Sequence, residues 1–311
     1  MSQQESNRRP ILVTGAHRSG TTWVGKMLSA SEEAAYISEP LNVLHRPGVM
    51  RAPVEHWYTY ICSDNEDKYL SAFTETLSYR YHIGAEIRSL RSVKDFLRMV
   101  RDWSSFQVGR VRYQRPLLKD PFAVFSILWF AERLGCQIVL MVRHPAAVAS
   151  SLKRLNWSFN FGDLTSQPYL MRDWLEIYRS QMETIAGEDL IAQSCLLWSM
   201  IYHVVGIYRE RVPDLRVVRH EDLSLDPVDG YRTLYASLGL QFTSTAQKSV
   251  VRSSSSQNPP ETSNSSVHAT KIDSRSSLSN WKRRLTPDEV ARIRMLTNDV
   301  ANLYYQEEDW D

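Results

Sequence analysis

The chain has 311 residues, which is enough for one large α/β domain or two small ones. Hydrophobic residues make up 43% of it, so a sizeable core is expected and global disorder is not. The formal net charge of +2 gives no overall attraction to nucleic acid or to a membrane surface. We therefore expect no nucleic-acid partner, and any anion site must come from a local cluster of residues.

Three cysteines, Cys62, Cys136 and Cys195, are scattered without the spacing of a metal site. The polar start "MSQQESNRRP" lacks the apolar core of a signal peptide, and we see no run long enough to span a bilayer. These features predict a reduced, cytoplasmic protein without a transmembrane segment.

The first elements alternate between strand and helix. "ILVT" at 11–14 is a short apolar run that ends at Gly15 and predicts a buried strand. A helix over 21–30 places Val24, Met27 and Leu28 on one face, and "AAYIS" at 34–38 predicts a second strand. Residues 41–115 are rich in aromatics and arginines without clean alternation, which indicates a partly helical elaboration over the core.

The same alternation continues to the C-terminus. Further strands are predicted at 115–120, 137–142 and 215–220, and further helices at 121–135, from the "HPAAV" segment, and at 168–185, 188–211, 227–238 and 287–303. This pattern predicts an α/β fold in which a P-loop-like parallel sheet is flanked by helices, as a single domain over 1–311. Within that domain we expect a disordered N-terminus at 1–9 and a mobile polar loop at 253–270.

The segment "TGAHRSGTTW" follows the first strand and nearly matches the phosphate loop G-x-x-x-x-G-K-[ST]. Thr21 stands where the lysine of that motif would be, and Arg18 lies inside the loop instead. Backbone N–H groups at a helix start, the hydroxyls of Ser19, Thr21 and Thr22, and the Arg18 charge together predict a pocket for a tetrahedral anion. The alternative is an ordinary strand–helix turn that happens to be rich in Gly and Thr.

A second anion site is predicted after the strand at 137–142. That strand ends in Arg143, where a magnesium-dependent nucleotide site would have an acidic residue. Ser151 follows eight residues later, and a charge at a strand end is costly without a partner. We expect Lys153 and Arg154, by contrast, to lie on a solvated helix face.

Taken together, these two segments resemble the phosphate-binding elements of sulfotransferases that use 3′-phosphoadenosine 5′-phosphosulfate (PAPS). The resemblance is closer to protein-tyrosine sulfotransferases, which share "RSGTT", a glutamate twenty residues after the loop serine (here Glu39, in "ISEPL"), "KDPF" (here 119–122) and a lysine ten residues before a tryptophan (here Lys271 and Trp281). Golgi-type carbohydrate sulfotransferases carry a similar "EPL" segment. The resemblance covers 11–40, 117–155 and 271–285.

The resemblance implies a sulfotransferase fold and transfer of a sulfuryl group from PAPS, with the bisphosphate PAP as product and no metal required. Glu39 would be the base, and Lys119 and Arg18 would stabilise charge. The resemblance also implies a set of cofactor-binding residues, namely Arg18, Ser19, Gly20, Thr21, Thr22, Trp23, Arg143, Ser151 and Lys271.

Several assignments stay open at this point. Asp120 and His17 are rival bases, although each is better explained as structural, and Ser256 lies near the place of a catalytic serine in the tyrosine enzymes. Trp23 is as compatible with the core as with an adenine site. The loop at 253–270 could close over the cofactor.

The acceptor is the least constrained assignment. Residues 41–115 and 156–215 show no match to the tyrosine enzymes and would shape the acceptor pocket. We expect a small-molecule or glycan acceptor, namely a hydroxyl of a sugar, a glycolipid or a small metabolite. Tyrosine in a peptide is the alternative, and a small-molecule kinase with a degenerate loop or a non-catalytic nucleotide-binding module are alternatives of other classes. The sequence does not predict the oligomeric state.

Overall fold

A central sheet of five parallel strands organises the fold. The computed structural model describes residues 9–44, 47–261 and 270–311. The strands lie in the order β2-β3-β1-β4-β5. Their bounds are β1 (Ile11–Gly15), β2 (Ala34–Ser38), β3 (Arg115–Lys119), β4 (Gln137–Val142) and β5 (Arg216–Arg219).

The two central strands, β1 and β4, are buried along their whole length. Both faces of such a strand must be apolar, which explains why "ILVT" and "QIVLMV" are continuous apolar runs. Successive side chains point to opposite faces. Accordingly, Leu12 belongs to one hydrophobic cluster, whereas Ile11 and Val13 belong to the other. The sheet therefore separates two cores, as the predicted α/β fold requires.

Sixteen α-helices occur in the described residues. They are α1 (Thr21–Leu28), α2 (Leu70–Leu77), α3 (Ile83–Ser89), α4 (Val93–Val111), α5 (Ile127–Glu132), α6 (Pro145–Leu155), α7 (Gly162–Thr165), α8 (Pro168–Leu170), α9 (Arg179–Thr184), α10 (Leu190–Arg211), α11 (His220–Leu225), α12 (Pro227–Ser237), α13 (Ser244–Ser254), α14 (Ser274–Leu278), α15 (Asn280–Arg284) and α16 (Pro287–Ala301). Single turns of 3₁₀ or π geometry include Pro121–Ser126, which leads into α5, and Met171–Leu175.

The predicted strands are confirmed, and several predicted helices need correction. The helix expected at 168–185 is interrupted, because Met171–Leu175 forms a π turn and a 3₁₀ turn follows before α9. The predictions missed α11 and α13, which are short and polar. Thr243 starts α13 by accepting a hydrogen bond from the Ala246 N–H, a capping signal that compensates for the weak apolar pattern.

The two segments expected to be disordered or mobile are only partly described. Residues 1–8 and 262–269 lie outside the described residues. Arg9 is held in place, since its Nε donates to the Gly135 carbonyl at 2.8 Å. In the predicted loop at 253–270, Ser253 and Ser254 complete α13, and the Ile272 N–H donates to the Ser253 carbonyl at 2.9 Å.

Helix α10 is the longest helix among the described residues, and it is largely apolar. By length and composition it could cross a membrane, because its most apolar window has a mean hydropathy of 1.6. In the fold, 67% of that window is buried, and the helix packs against α6 and α16. It is therefore the core helix on one face of the sheet, and it explains why the predicted helix at 188–211 is apolar on nearly every side.

Candidate active site

A cavity of about 710 Å³ opens at the carboxyl ends of the strands. This is the edge at which parallel α/β sheets bind ligands. The segments that follow β1, β2, β3 and β4 all reach it, and so do the C-terminal half of α6 and residues near the C-terminus. Its lining comprises His17, Arg18, Gly20, Thr21, Thr22, Trp23, Glu39, Asn42, Leu44, Trp57, Tyr58, Pro121, Phe122, Arg143, Ser151, Arg154, Trp157, Ser158, Phe159, Asn160, Asp163, His220, Glu261, Thr270, Ile272, Ser277, Asn280 and Arg284.

The loop between β1 and α1 has the tight geometry that its glycines predict. Gly20 precedes α1 with φ of 99°, a left-handed conformation that side chains disfavour. A Cβ atom at Gly20 would lie 2.6 Å from His220 Nδ1, so neither conformation nor space admits another residue. Arg18 also has a positive φ, 70°, and so do the cavity residues Glu39 and Tyr58. Strained backbone of this kind concentrates at functional sites.

Four of the residues that line the cavity are arginines, and we call this set of lining residues the cationic half. Its four arginines are Arg18, Arg143, Arg154 and Arg284. Arg18 Nε donates to Ser151 Oγ at 3.0 Å, and Arg143 Nη1 donates to the Arg18 carbonyl at 3.0 Å. Burial, followed by the charges of the other three arginines, lowers the pKa of Arg18 to about 10. The positive charges of these arginines therefore destabilise one another, an effect that Glu221 beside Arg143 and Glu261 beside Arg284 partly offset.

The cationic half also contains a buried polar atom that fits an anionic ligand. Within the part of the chain that the structure describes, Arg143 Nε is buried without a hydrogen-bond partner, and Arg143 lines the cavity. Ser19 Oγ is also buried without a hydrogen-bond partner that meets standard geometry, but Ser19 is fully buried beside Tyr202 and, among the described residues, does not belong to the lining. Leaving such groups unpaired costs about 1–3 kcal/mol each. Glu261 forms an ion pair with Arg284 at 2.6 Å, so one cation is already compensated. The unpaired Arg143 Nε fits a phosphate-like ligand, and the hydrogen bonds of Arg18 with Ser151 and Arg143 bring together the two predicted anion elements.

Two expectations for α6 have different outcomes. Lys153 is exposed and pairs with Glu289 at 2.5 Å, as expected for a solvated helix face. The expectation for Arg154 is wrong, since Arg154 lines the cavity. Burial lowers the pKa of Arg154, with a further contribution from Arg284. Arg154 lies on the side of α6 that faces the cavity. The helix α15, which carries Arg284, packs against α6 near this side.

Glu39 and Lys119 form an ion pair beside the cationic half. Glu39 Oε1 contacts Lys119 Nζ, and Glu39 Oε2 accepts a hydrogen bond from Asn42 Nδ2 at 2.7 Å. The Glu39 N–H donates to the Lys119 carbonyl at 2.8 Å, which continues the pairing of Ser38 with Lys119 between β2 and β3. Glu39 lines the cavity, whereas Lys119 is only 2% exposed and lies beneath it.

The surroundings of Lys119 keep it charged despite its burial. Burial alone would lower the pKa of Lys119, but Tyr36, Glu39 and Asp120 around it outweigh burial and raise that pKa. The ammonium is thus held as a fixed positive charge next to the Glu39 carboxylate. A buried lysine without such partners would release its proton.

The two rival bases have structural partners. Asp120 accepts hydrogen bonds from the N–H groups of Leu41, at 2.6 Å, and Phe122, at 3.0 Å, and burial raises its pKa to about 7. It therefore joins the segment after β2 to the segment after β3. His17 Nδ1 lies 2.5 Å from the Tyr58 hydroxyl, and burial, then Arg18, lowers the pKa of His17 to about 4. His17 is thus neutral near pH 7.

Three other predicted site residues have distinct positions. Trp23 is buried, lines the cavity and donates from Nε1 to Ser253 Oγ at 2.9 Å, so it has both core and cavity contacts. Lys271 is exposed and, among the described residues, does not belong to the lining, although its neighbours Thr270 and Ile272 do. Ser256 is exposed as well. The roles assigned to these three residues stay predictions.

Five further lining residues are aromatic, and we call this set the aromatic half; it adjoins the cationic half, since the Arg18 guanidinium lies 5.9 Å from the centroid of the Trp157 ring. Its rings belong to Trp57, Tyr58, Phe122, Trp157 and Phe159. The ring centroids of Trp57 and Phe122 lie 4.5 Å apart, and Tyr58 contacts both Phe122 and Phe159 edge-to-face. All but Phe122 come from the regions 41–115 and 156–215, which the sequence predicted to form the acceptor side.

The comparison with protein families identifies the chain. The model of the sulfotransferase family matches residues 10–244, which is more than half of the sequence. The chain belongs to the sulfotransferase family. The matched range includes the loop after β1, the Glu39–Lys119 pair and the Arg143–Ser151 element. No curated protein matches this sulfotransferase at a significant level.

Several solved sulfotransferase structures are similar to this sulfotransferase at low identity. The sulfotransferase domain from the Synechococcus PCC 7002 olefin synthase is 18% identical, with 96% of each chain covered and a TM-score of 0.48. Sulfotransferase STF9 from Mycobacterium avium is 14% identical, with 98% of this chain and 80% of that chain covered and a TM-score of 0.48. Mouse sulfotransferase SULT7A1 complexed with PAP is 12% identical, with 97% and 86% covered and a TM-score of 0.44.

A buried histidine next to the cationic half predicts a pH dependence of the stability of this sulfotransferase. The His144 ring stacks on Trp281 with centroids 5.2 Å apart and contacts Tyr305 and Trp310 edge-on. Burial lowers the pKa of His144 to about 3. Below pH 6.5 the His144 side chain is therefore protonated in the unfolded chain but stays neutral in the folded chain. The stability that His144 contributes above pH 6.5 is lost as the pH falls towards 3, by about 1.4 kcal/mol per pH unit.

The substitution His144→Phe tests this dependence. Phenylalanine keeps the stacking and loses the proton site, so the free energy of unfolding of the variant should fall less steeply between pH 6.5 and 4. Urea unfolding of both proteins at several pH values measures the two slopes. If the free energy of unfolding fell equally steeply with pH in both proteins, His144 would be protonated in the folded protein or its environment would differ from the one described.

Proposed function

We propose that this sulfotransferase transfers a sulfuryl group from PAPS to a hydroxyl group of a sugar, a glycolipid or a small metabolite. One observation carries the proposal: a single cavity has a cationic half and an aromatic half, and the Glu39–Lys119 pair is associated with the same cavity through Glu39. The cationic half suits the donor, and the aromatic half suits an acceptor with an apolar or sugar face.

The donor fits the cationic half because PAPS carries negative charge at both ends of its ribose. We assign the 5′-phosphosulfate to the loop residues Arg18, Ser19, Gly20, Thr21 and Thr22, whose N–H groups lie at the start of α1. We assign the 3′-phosphate to Arg143 and Ser151, with Trp23 and Lys271 as further contacts to the nucleotide. The unpaired Arg143 Nε supports the second assignment, and the position of Arg18, Gly20, Thr21 and Thr22 in the cavity lining supports the first.

In the proposed reaction the acceptor oxygen forms a bond to sulfur while the bond from sulfur to the phosphate oxygen breaks. PAPS supplies the activated sulfuryl group. Glu39 takes the proton of the acceptor hydroxyl, and Lys119, which lies against it, orients the carboxylate and provides positive charge. Arg18 and the loop N–H groups stabilise the negative charge that the leaving phosphate gains. These fixed charges make a metal ion unnecessary for this chemistry.

The aromatic half supports a hydroxyl acceptor with a flat apolar face. Aromatic rings stack on sugar, phenol and lipid-linked glycan surfaces alike, and the polar residues Asn160 and Asp163 lie among them. Tyrosine in a peptide remains the alternative acceptor. A kinase is disfavoured because Arg143 stands where a magnesium ligand would be, and a purely binding module would not need the Glu39–Lys119 pair.

Calorimetric titration with PAP and, separately, with ATP tests the donor assignment, both without magnesium. We expect PAP to bind with a dissociation constant at least tenfold below that of ATP, because only PAP carries a 3′-phosphate for Arg143 and Ser151. Transfer of sulfate from PAPS to an acceptor should then persist in excess chelator. A preference for ATP, or a strict need for magnesium, would contradict the proposal and favour phosphoryl transfer.

A further inference from the structure

The helix α4 carries an apolar stripe that faces away from the protein. Of its nineteen residues only Met99, Phe106 and Gly109 are buried. Successive residues of an α-helix are rotated by about 100° around its axis, so residues three or four positions apart lie on the same side. The stripe consists of residues with this spacing that are all exposed, namely Val93, Phe96, Leu97, Val100, Trp103, Val108 and Val111.

The apolar side chains of this stripe are more exposed to solvent than apolar side chains usually are. Val93 is 77% exposed and Leu97 is 63% exposed, and Ile83 and Ile87 on the preceding helix α3 are exposed as well. None of residues 9–44, 47–261 or 270–311 covers it. Single exposed apolar side chains need no explanation, but a contiguous row along five turns of helix marks an interaction surface.

The charges around the stripe indicate what it binds. Between residues 83 and 113 there are seven basic and three acidic residues. All seven basic side chains are exposed, whereas Glu86 is buried and Asp95 and Asp102 are half-buried. The basic residues are Arg88, Arg91, Lys94, Arg98, Arg101, Arg110 and Arg112. Three of these arginines are ion-paired, Arg98 with Asp95 at 3.9 Å, Arg101 with Asp102 at 2.7 Å and Arg112 with Glu32 at 2.8 Å. Seven basic and three acidic residues leave a net charge of +4 between residues 83 and 113, so the surface presents apolar side chains beside an excess of positive charge.

We propose that this surface of α3 and α4 binds an anionic lipid bilayer. A helix with apolar residues on one side and Lys or Arg beside them lies in the interface of a membrane, where its apolar face enters the acyl boundary and its cations meet lipid phosphates. A second copy of the chain fits less well, because a twofold contact would bring the two positive surfaces together. This inference does not depend on the donor or acceptor of the reaction.

The position of α4 relates the surface to the cavity. Arg112 pairs with Glu32 at 2.8 Å, and Ser105 Oγ donates to the Tyr36 carbonyl at 3.4 Å. Arg112, near the end of α4, contacts a residue just before β2, whereas Ser105, earlier in α4, contacts the middle of β2. The helix α4 therefore runs antiparallel to β2, and its N-terminal end lies nearer to Glu39. The first turns of α4 thus lie at the cavity edge of the sheet. A bilayer on this surface would lie beside the cavity mouth, where the exposed Leu44 is part of the lining.

Vesicle co-sedimentation tests the proposal. We expect the protein to sediment with vesicles of equal parts phosphatidylcholine and phosphatidylglycerol, to bind phosphatidylcholine vesicles much more weakly, and to dissociate in high salt. The double variant Arg98→Gln and Arg101→Gln should bind about 25-fold more weakly, since each basic residue near an anionic surface contributes about fivefold. The double variant Leu97→Glu and Val100→Glu should lose sedimentation.

The matched control is Met295→Glu with Leu296→Glu, two exposed apolar residues of α16. It should bind vesicles like the wild type, and circular dichroism melting should show that all variants fold, since every substituted side chain is exposed. Two results would overturn the proposal. One is wild-type protein that stays in solution with both kinds of vesicle. The other is a concentration-dependent dimer, seen by analytical ultracentrifugation, that Leu97→Glu and Val100→Glu dissociate.

Discussion

The substitution Glu39→Gln is expected to lower the turnover of sulfuryl transfer by roughly 10²–10⁴-fold, the contribution typical of a general base. The amide keeps an oxygen that can accept the hydrogen bond from Lys119, so the local structure should persist. It cannot take a proton from an acceptor hydroxyl. The affinity for PAP should change by less than about threefold, since Glu39 is assigned to the acceptor and not to the nucleotide. Steady-state kinetics with PAPS and calorimetry with PAP separate these two effects.

A matched control for this variant is Glu261→Gln. Glu261 lines the same cavity and pairs with a cation, Arg284, but it lies away from the Glu39–Lys119 pair in the sequence and in its contacts. Its substitution should leave turnover within a few-fold of wild type. If Glu39→Gln retains full turnover, Glu39 is not the base, and His17, which also lines the cavity, becomes the next residue to test.

The substitution Arg143→Ala is expected to weaken PAP binding by at least about 30-fold, because removing one partner of a buried charge pair costs about 2 kcal/mol or more. Among the described residues Arg143 Nε is a buried donor without a hydrogen-bond partner, and Arg143 Nη1 donates to the Arg18 carbonyl. Binding of ATP, which lacks the 3′-phosphate, should change less. Calorimetry with both nucleotides measures the difference.

Two companion variants define the effect of Arg143. Lys153→Ala removes an exposed cation ten residues along the chain that pairs with Glu289, and it should leave PAP binding unchanged. Arg143→Lys keeps the charge but loses the forked donors, so its affinity should fall between wild type and Arg143→Ala. Equal affinity of Arg143→Ala and wild type for PAP, with both folded by thermal melting, would refute the 3′-phosphate assignment.

The elements nearest to the loop were predictable because their signals are local. A buried strand, a glycine with a left-handed backbone and a helix start follow one another within ten residues, so the loop Arg18–Thr22, to which we assign the anion, can be recognised from the sequence. The strands β1 and β4 were predictable for the same reason, since a strand buried on both faces must be a continuous apolar run.

The contact between Glu39 and Lys119 could not be predicted in the same way. It arises because β2 and β3 are neighbouring strands in which Ser38 pairs with Lys119. Local sequence patterns predict single strands but not the order of strands in a sheet. The inward position of Arg154 and the approach of His220 to Gly20 also depend on the packing of distant helices. The aromatic half is a long-range assembly as well, in which Trp57 and Phe159 meet across a hundred residues of sequence.

The order of the strands has an evolutionary consequence. The residues that we assign to the donor follow β1 and β4, whereas Glu39 and the segment that leads to Trp57 and Tyr58 follow β2, at one edge of the sheet. On these assignments, inserted or exchanged segments after β2 can reshape part of the proposed acceptor side while β1 and β4 keep their register. The donor motifs and that part of the acceptor side can therefore diverge at different rates.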